Sequence, residues 1–381
     1  YGIVVQQWRS TMSFVPNQVQ QISLFDSLGF LSDRKRRMLK KSWAQGFSDL
    51  IFTKIDEQIF APLYSEKTNS RPNAPINVIV GALILKEYNG LSDDELREEC
   101  EFDFRYQYAL HTTSFEVQPL SDRTFSRFRE RVAAYELTTG IDLIHECVVS
   151  LGESLREFMD ISPSIKRMDS MMIESNIRSM SRLERLYTCL SNLIRQISKA
   201  GEDAMIEGLE HYADANDWNK VIYHDTETPH EERIQTVIDD VVRLLPKCRE
   251  KYGETDEYRL LERAIQEQTK SDDDGNHTLK GKGEGIDSSA LQNPSDPDAT
   301  YREKAGKKHS GYAANLTETV DEKGSVISDY QYDVNTHSDP SFIKESIEGS
   351  EAAEEPVTMI TDGAYGSKEI RDAAKERTLT C

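Results

Sequence analysis

The chain has 381 residues, a net charge of −21, 37% hydrophobic and 30% charged residues, and a mean hydropathy of −0.62. That length suffices for two or three domains with buried cores, and no run approaches the roughly 20 apolar residues of a membrane span. The expectation is a soluble, rather helical protein with no membrane partner. Its five cysteines (Cys100, Cys147, Cys189, Cys248 and Cys381) form no C-x-x-C pair, which argues for cytoplasmic thiols and against a disulfide framework or a zinc site. The opening YGIVVQQWRSTM has no basic region followed by an apolar stretch, so no signal peptide is visible. Charge is uneven: residues 201–300 hold 25 Asp/Glu against 11 Lys/Arg. The acidity of the whole chain therefore says little about any single face.

Residues 1–18 read as a loose leader and residues 19–160 as a helical region. Asp33 stands where it would cap a helix beginning Arg34-Lys35-Arg36-Arg37 and continuing through Lys40 and Lys41. Taken by itself, that basic cluster is better explained as a solvated helix face than as a phosphate contact. Pro75 starts a strongly apolar helix, Asn89-Gly90 ends it, and Ser92 caps the next. In PLSDRTFSRFRERV, Ser121 or Asp122 would cap a short amphipathic helix presenting Arg123, Arg127, Arg129 and Arg131. Helix, glycine-containing turn, helix and Arg-rich helix is compatible with a helix-turn-helix DNA-binding region. An ordinary bundle with a charged face fits the pattern equally.

The texture changes at Pro163. SIKRMDSMMIES alternates as a strand, with Ile165, Arg167, Asp169, Met171 and Ile173 on one face and Met168 and Met172 on the other. Residues 183–290 read as an acidic helical insertion that becomes loop-like from Ser271. Its helices suggest a protein-facing or hairpin-shielding role, with no assigned chemistry. KKHSGYAANLTETV and SVISDYQYDV flank Asp321-Glu322-Lys323-Gly324 as a hairpin. A helix from Ser341 to Ile347 follows, then the strand PVTMITD, and Ser367 caps a last helix, KEIRDAAKER.

That last strand ends at Asp362, before Gly-Ala-Tyr-Gly. Alone, this is ordinary turn chemistry; a partner carboxylate would change its meaning. Strand, hairpin, helix and strand open an RNase H-like α/β domain, in which the fourth strand lies beside the first. Asp169 and Asp362 would then meet across the insertion. Two such carboxylates suit Mg²⁺, which prefers oxygen ligands and keeps waters and phosphate oxygens in its shell; two metals about 4 Å apart assist phosphoryl transfer. An Asp on the apolar face of a buried strand is costly unless paired or metal-bound. A salt bridge from Asp169 to Lys166 or Arg167 is the competing reading.

With IVGALILKEYNGLSDDELREECEFDFRYQYAL, PLSDRTFSRFRERV, IKRMDSMMIESNI, SDPDATYREKAGKKHSGYAANL, YDVNTHSD and ITDGAYGSKEI in this order, the chain resembles bacterial DDE-type insertion-sequence transposases with a long helical insertion after the first catalytic strand. The resemblance implies a mixed fold. An all-α N-terminal region would precede an α/β RNase H-like domain built from 161–182 and 291–381 and interrupted by the 183–290 insertion. It implies that Asp169 ligates both metals and Asp362 one, with Mg²⁺ as cofactor and Mn²⁺ substituting. The implied chemistry is hydrolysis at the element ends, then attack of the freed 3′-hydroxyl on target DNA. The implied partners are double-stranded inverted-repeat ends and target DNA, with the protein acting as a homodimer. Arg34, Lys35, Arg36, Arg37, Arg123, Arg127 and Arg129 would engage phosphates.

Lys304, Lys307 and Lys308, with His309, would do so beside the catalytic strand, unless they are a solvated strand edge. His337 reads as a loop residue that would at most approach the site. Asp296 and Asp298 read as a turn around Pro297, and Glu174 as no ligand. The family's third acidic residue, in a Tyr-x-x-Arg-x-x-x-Glu setting, is not found before Cys381. The expectation is an incomplete, inactive catalytic domain, with a non-enzymatic DNA-binding remnant as the alternative. A hybrid-cleaving nuclease of the same fold is a weaker rival.

Overall fold

The structure, a computed structural model, describes residues 12–17, 27–65, 71–114, 120–121, 123–272, 275–281, 284–304, 306–349, 356–361 and 379–380. Short polar residues start most of the N-terminal helices. Ser32, rather than Asp33, caps α1 (Asp33–Lys40) by accepting from the Lys35 amide, and Ser42 caps α2 (Trp43–Leu50). Asp33 falls in the first turn instead, where a carboxylate complements the helix dipole. Helix α3 (Ile76–Asn89) is buried along most of its length and stops at Gly90, whose φ of 66° is the left-handed conformation of a helix C-cap. Ser92 and Glu95 form a reciprocal capping box at the start of α4 (Asp93–Phe102). The short α5 (Phe104–Ala109) follows.

Helix α6 (Thr124–Thr139) is longer than the arginine pattern suggests, and no side chain caps it. Ser121 is instead tied to Thr124 through its amide at 2.8 Å, and Asp122 lies outside the described residues. Helix α7 (Leu143–Phe158) opens on Asp142, which accepts from two amides. These helices share one core that includes Phe52, Phe60, Leu85, Phe128 and Leu151.

Strand β1 (Ile165–Glu174) begins the sheet. Before the chain returns to it, α8 (Arg182–Lys199), α9 (Ala215–Asn219), α10 (His230–Tyr252) and α11 (Asp256–Gln268) build a second core. It is centred on the face of α8 that carries Leu186, Leu190, Leu193 and Ile197, all fully buried. Two buried tyrosines anchor to carboxylates, Tyr187 to Asp217 at 2.6 Å and Tyr212 to Asp240 at 2.7 Å. The segment expected to be loop-like contains a small hairpin, β2 (Thr269–Ser271) with β3 (His277–Leu279). Its strands are short and polar, so they lack the alternation that marks longer strands.

The main sheet continues with β4 (Thr300–Lys304), β5 (Lys307–Asp321), β6 (Gly324–Val334), β7 (Val357–Ile360) and β8 (Leu379–Thr380), and α12 (Asp339–Gly349) lies between β6 and β7. On one side β5 pairs antiparallel with β1; on the other it pairs antiparallel with β4 and then β6. Beyond β1 come β7 and β8, both parallel. The sheet is therefore mixed, with its first strand central. The β5–β6 hairpin turns at the expected Asp321–Gly324, where Asp321 accepts from the Lys323 amide at 2.7 Å.

Helix α12 covers one face, placing Ile343 and Ile347 on Met168 and Met359. Helix α7 lies on β6: a Cβ on Gly152 would stand 2.5 Å from the Ile327 carbonyl oxygen. His145 to Asp329 at 2.7 Å and Tyr332 to Glu136 at 3.1 Å complete that junction. The insertion is sewn to the sheet near Pro297, where Arg263 donates to the Pro297 and Ser289 carbonyls at 2.8 Å each.

Candidate functional site

Strand alternation makes the site on β1. Met168 is 2% exposed and points into the α12 side, so Asp169, the next residue, faces the other way and is exposed. This corrects the expectation that Asp169 sits on the buried face: the apolar pair Met171 and Ile173 shares its side, yet both are exposed. The side chain that α12 covers decides the buried face, and on β1 this is Met168. The desolvation argument for a bound metal therefore lapses for Asp169.

Pairing places Leu316 opposite Asp169 and Glu318 opposite Arg167. Arg167 pairs with Glu318 across the strands, so it does not neutralise Asp169, and no ion pair among the described residues joins Lys166 to Asp169. The result is a cleft of about 550 Å³ lined by Arg167, Asp169, Met171, Leu316, Glu318, Ile360 and Thr361, among others. The parallel pairing of β7 brings Ile360 beside Arg167. Thr361 lines the same cleft, and the described segment stops there. Asp362, like Ser367 and the expected last helix, lies outside the described residues.

Behind the cleft the sheet is fixed by buried polar contacts. Ser170, adjacent to Asp169, donates to Asp339 at the start of α12 at 2.8 Å. Asn315, fully buried, donates to Gln331 at 3.0 Å. Among the described residues, no group of three or more His, Cys, Asp or Glu side chains is arranged to hold a metal ion. Asp169 offers one exposed carboxylate.

The other sequence-derived candidates separate. Lys304, Lys307 and Lys308 cluster at the β4–β5 turn, where Lys304 pairs with Lys307. Nine residues along β5 separate Lys307 from Leu316, opposite Asp169, a span of about 30 Å. They are not beside Asp169. His309 is engaged by Glu174 at 2.5 Å, and that hydrogen bond, first among its causes, holds the Glu174 carboxyl below its usual range. His337 faces Asp333 and Glu345 at 3.2 Å each and so ties the end of β6 to α12. Asp296 is more than a turn residue: it accepts from Tyr312 at 2.6 Å and from Ser175, locking the 293–296 turn onto β1 and β5. Asp298 is exposed.

Among the basic residues, Arg34, Lys35, Arg36 and Arg37 are exposed on α1. Arg36 donates to the Leu31 carbonyl at 2.8 Å and Arg37 to the Asp33 carbonyl at 3.3 Å. Arg123, just before α6, and Arg127 and Arg129 on it are exposed, and Arg129 is paired to Asp93 of α4. Sequence reasoning missed Arg71, which lines a groove with Arg127 and Arg131. Its position in an irregular segment, far from Arg127 in sequence, left no periodic signal to find it by.

Comparison with known proteins bears on this N-terminal half. Residues 37–131 match the family described as "Transposase domain (DUF772)". The match runs from α1 into α6 and supports a transposase as the general class of function, with DNA as the partner that class suggests. No curated protein and no solved structure gives a match. Among the described residues, no helix is long and apolar enough to cross a membrane.

Proposed function

We propose that the protein is a transposase of the DDE type, acting on the two ends of a mobile DNA element with an RNase H-like catalytic domain. The observation that carries this reading is the parallel pairing of β7 with β1. It sets Ile360 and Thr361 in the cleft of Asp169, and Asp362 is the next residue in the chain. A central first strand flanked by an antiparallel hairpin on one side and parallel strands on the other supports the fold assignment. The transposase-domain match supports the substrate class.

Asp169 with Asp362 would hold Mg²⁺, or Mn²⁺ in its place, and the metal would supply activation of the attacking oxygen and stabilisation of the leaving one. The protein's part is positional. Asp169 lies in the middle of β1, opposite Leu316 of β5, and the adjacent Ser170–Asp339 hydrogen bond pins β1 to α12. The Arg167–Glu318 pair lines the cleft beside Asp169. Helix α7, docked on β6, couples the DNA-facing helices to the sheet. The α1 cluster, with Arg123 and Arg127, would contact DNA phosphates nonspecifically, and a homodimer would bring two ends together.

The test is nicking of a duplex carrying the element end by the 381-residue chain in Mg²⁺, compared with Asp169→Asn. Loss of at least about 100-fold in nicking with unchanged DNA binding supports the reading, a loss of the size seen when one charge-stabilising group is removed. Nicking that survives the substitution rejects it. Binding without nicking in both proteins is the outcome of an inactive catalytic domain as well as of a DNA-binding remnant, and Mg²⁺ binding that Asp169→Asn abolishes would tell the first from the second.

A further inference from the structure

The N-terminal helical region holds a groove that no part of the proposed catalysis uses. Its volume is about 570 Å³, and it runs between the 71–75 segment and the start of α6. Three arginines line it, Arg71, Arg127 and Arg131, with the hydroxyls of Ser121 and Thr124 at the helix start. We propose that this groove seats a single phosphate of a DNA backbone, gripped by the three guanidinium groups. The inference rests on the reading that the N-terminal region binds DNA and adds the point at which it does so.

Three observations separate this groove from a solvated charged face. First, its arginines have no carboxylate partner among the described residues. Arg129 is paired to Asp93. By contrast, no ion pair among the described residues joins Arg71, Arg127 or Arg131 to a carboxylate. Glu57, the acidic residue near Tyr64, is turned to the amides of Asn17 and Ile76 at 2.8 and 3.0 Å. In a chain of net charge −21, three unneutralised arginines around one hollow are unusual.

Second, the groove is held in shape from several sides. The Arg71 carbonyl accepts from the Ser13 amide at 3.0 Å, and the Ser13 carbonyl accepts from the Asn73 amide at 3.1 Å. Arg131 lies over the Tyr64 ring at 5.4 Å. Burial, the largest cause, pushes the Tyr64 hydroxyl above its usual range, so that ring stays a neutral platform for the cation. Phe128 fixes α6 to the core beneath. Third, the chemistry matches: guanidinium forks bind phosphate oxygens in a plane, bidentately, and hydroxyls and helix-start amides add donors.

The test is fluorescence-anisotropy titration of the full chain with duplex DNA at several salt concentrations, using Arg71→Ala, Arg127→Ala, Arg131→Lys and a triple variant with alanine at all three positions. Arg71→Ala is exposed and leaves the core alone, whereas Arg131→Lys keeps the cation over Tyr64 but removes the fork. Each single change should weaken binding about five- to tenfold. One shared phosphate predicts non-additivity: the triple variant should lower the slope of log K against log[salt] by about 0.9, the value of one phosphate, instead of about three times that.

Unchanged affinity in the variants, or a slope loss near 2.7 in the triple, would overturn the groove while leaving DNA binding intact. A wild-type chain that fails to bind duplex DNA would overturn both readings. Inorganic phosphate, added at constant ionic strength, separates the remaining source. Arg71-dependent binding of phosphate that leaves DNA affinity unchanged would assign the groove to a free anion instead, whereas the proposal expects phosphate, where it binds there, to compete with DNA.

Discussion

Replacing Gly152 by alanine probes the contact that joins the helical region to the sheet. Gly152 lies in the last turns of α7, and an added Cβ would stand 2.5 Å from the Ile327 carbonyl oxygen of β6. Ordinary contact begins at 3.4 Å, so helix and strand must part by about 0.9 Å. Two terms oppose each other. Removing glycine from a helix interior stabilises by about 1 kcal/mol, while overpacking against backbone costs about 1–3 kcal/mol. Gly46 in α2 supplies the control, because an added Cβ there meets nothing within 4 Å. Gly46→Ala should therefore raise stability by nearly the full propensity term, and Gly152→Ala should fall below it by about 1–3 kcal/mol. Urea titration followed by circular dichroism measures the pair, and hydrogen exchange of the β6 amides should quicken only in Gly152→Ala. Equal stabilisation by both substitutions would refute the close docking of α7 on β6.

Three further outcomes follow from the geometry. Glu57 is 6% exposed and accepts from the amides of Asn17, Ile76 and Asn77, which caps the start of α3 where Pro75 has no side-chain cap; Glu57→Ala should cost about 2–4 kcal/mol in urea unfolding, with Glu57→Gln recovering part. Burial pushes the Cys147 and Cys189 thiols up to about 12 and Cys248 to about 11, so native protein should react slowly with a thiol reagent at pH 8 at these three positions and fully once denatured. Because these folded-state values lie above the unfolded thiol range, the stability they confer is complete below about pH 8.5 and drains away as pH rises toward 12; the urea midpoint should fall over that window. Breaking the Tyr312–Asp296 bond at 2.6 Å by Tyr312→Phe should cost about 1 kcal/mol and loosen the 293–296 turn, read as faster proteolysis there.

Much of the scaffold was legible because local chemistry set it. Gly90 and Ser92 punctuate α3 and α4 by turn and cap rules that act within a few residues, and Asp321–Gly324 closes its hairpin on the same basis. Alternation along β1 was equally visible, but which face it buries was not. That choice is made by α12, more than 160 residues away, and Met168 with Met359 answers it. Glu57 escaped notice for a related reason: a buried carboxylate serving amides 19 and 20 residues on has no sequence signature. The short strands β2, β3 and β4 are specified by their pairing partners more than by their own composition. Of the candidate site, the strand that carries Asp169 could be read directly. The assembly of Arg71, Arg127 and Arg131 could not, because tertiary packing alone brings an irregular segment to the start of α6.

The central claim, that Asp169 and Asp362 share a divalent cation, can be tested without relying on turnover. Fe²⁺ in place of Mg²⁺, with ascorbate and peroxide, cuts a polypeptide near the bound ion. The account predicts two cuts, one close to Asp169 and one close to Asp362, suppressed by excess Mg²⁺ and both lost in Asp169→Asn. Cuts elsewhere, or cuts at either position that persist in Asp169→Asn, would contradict it.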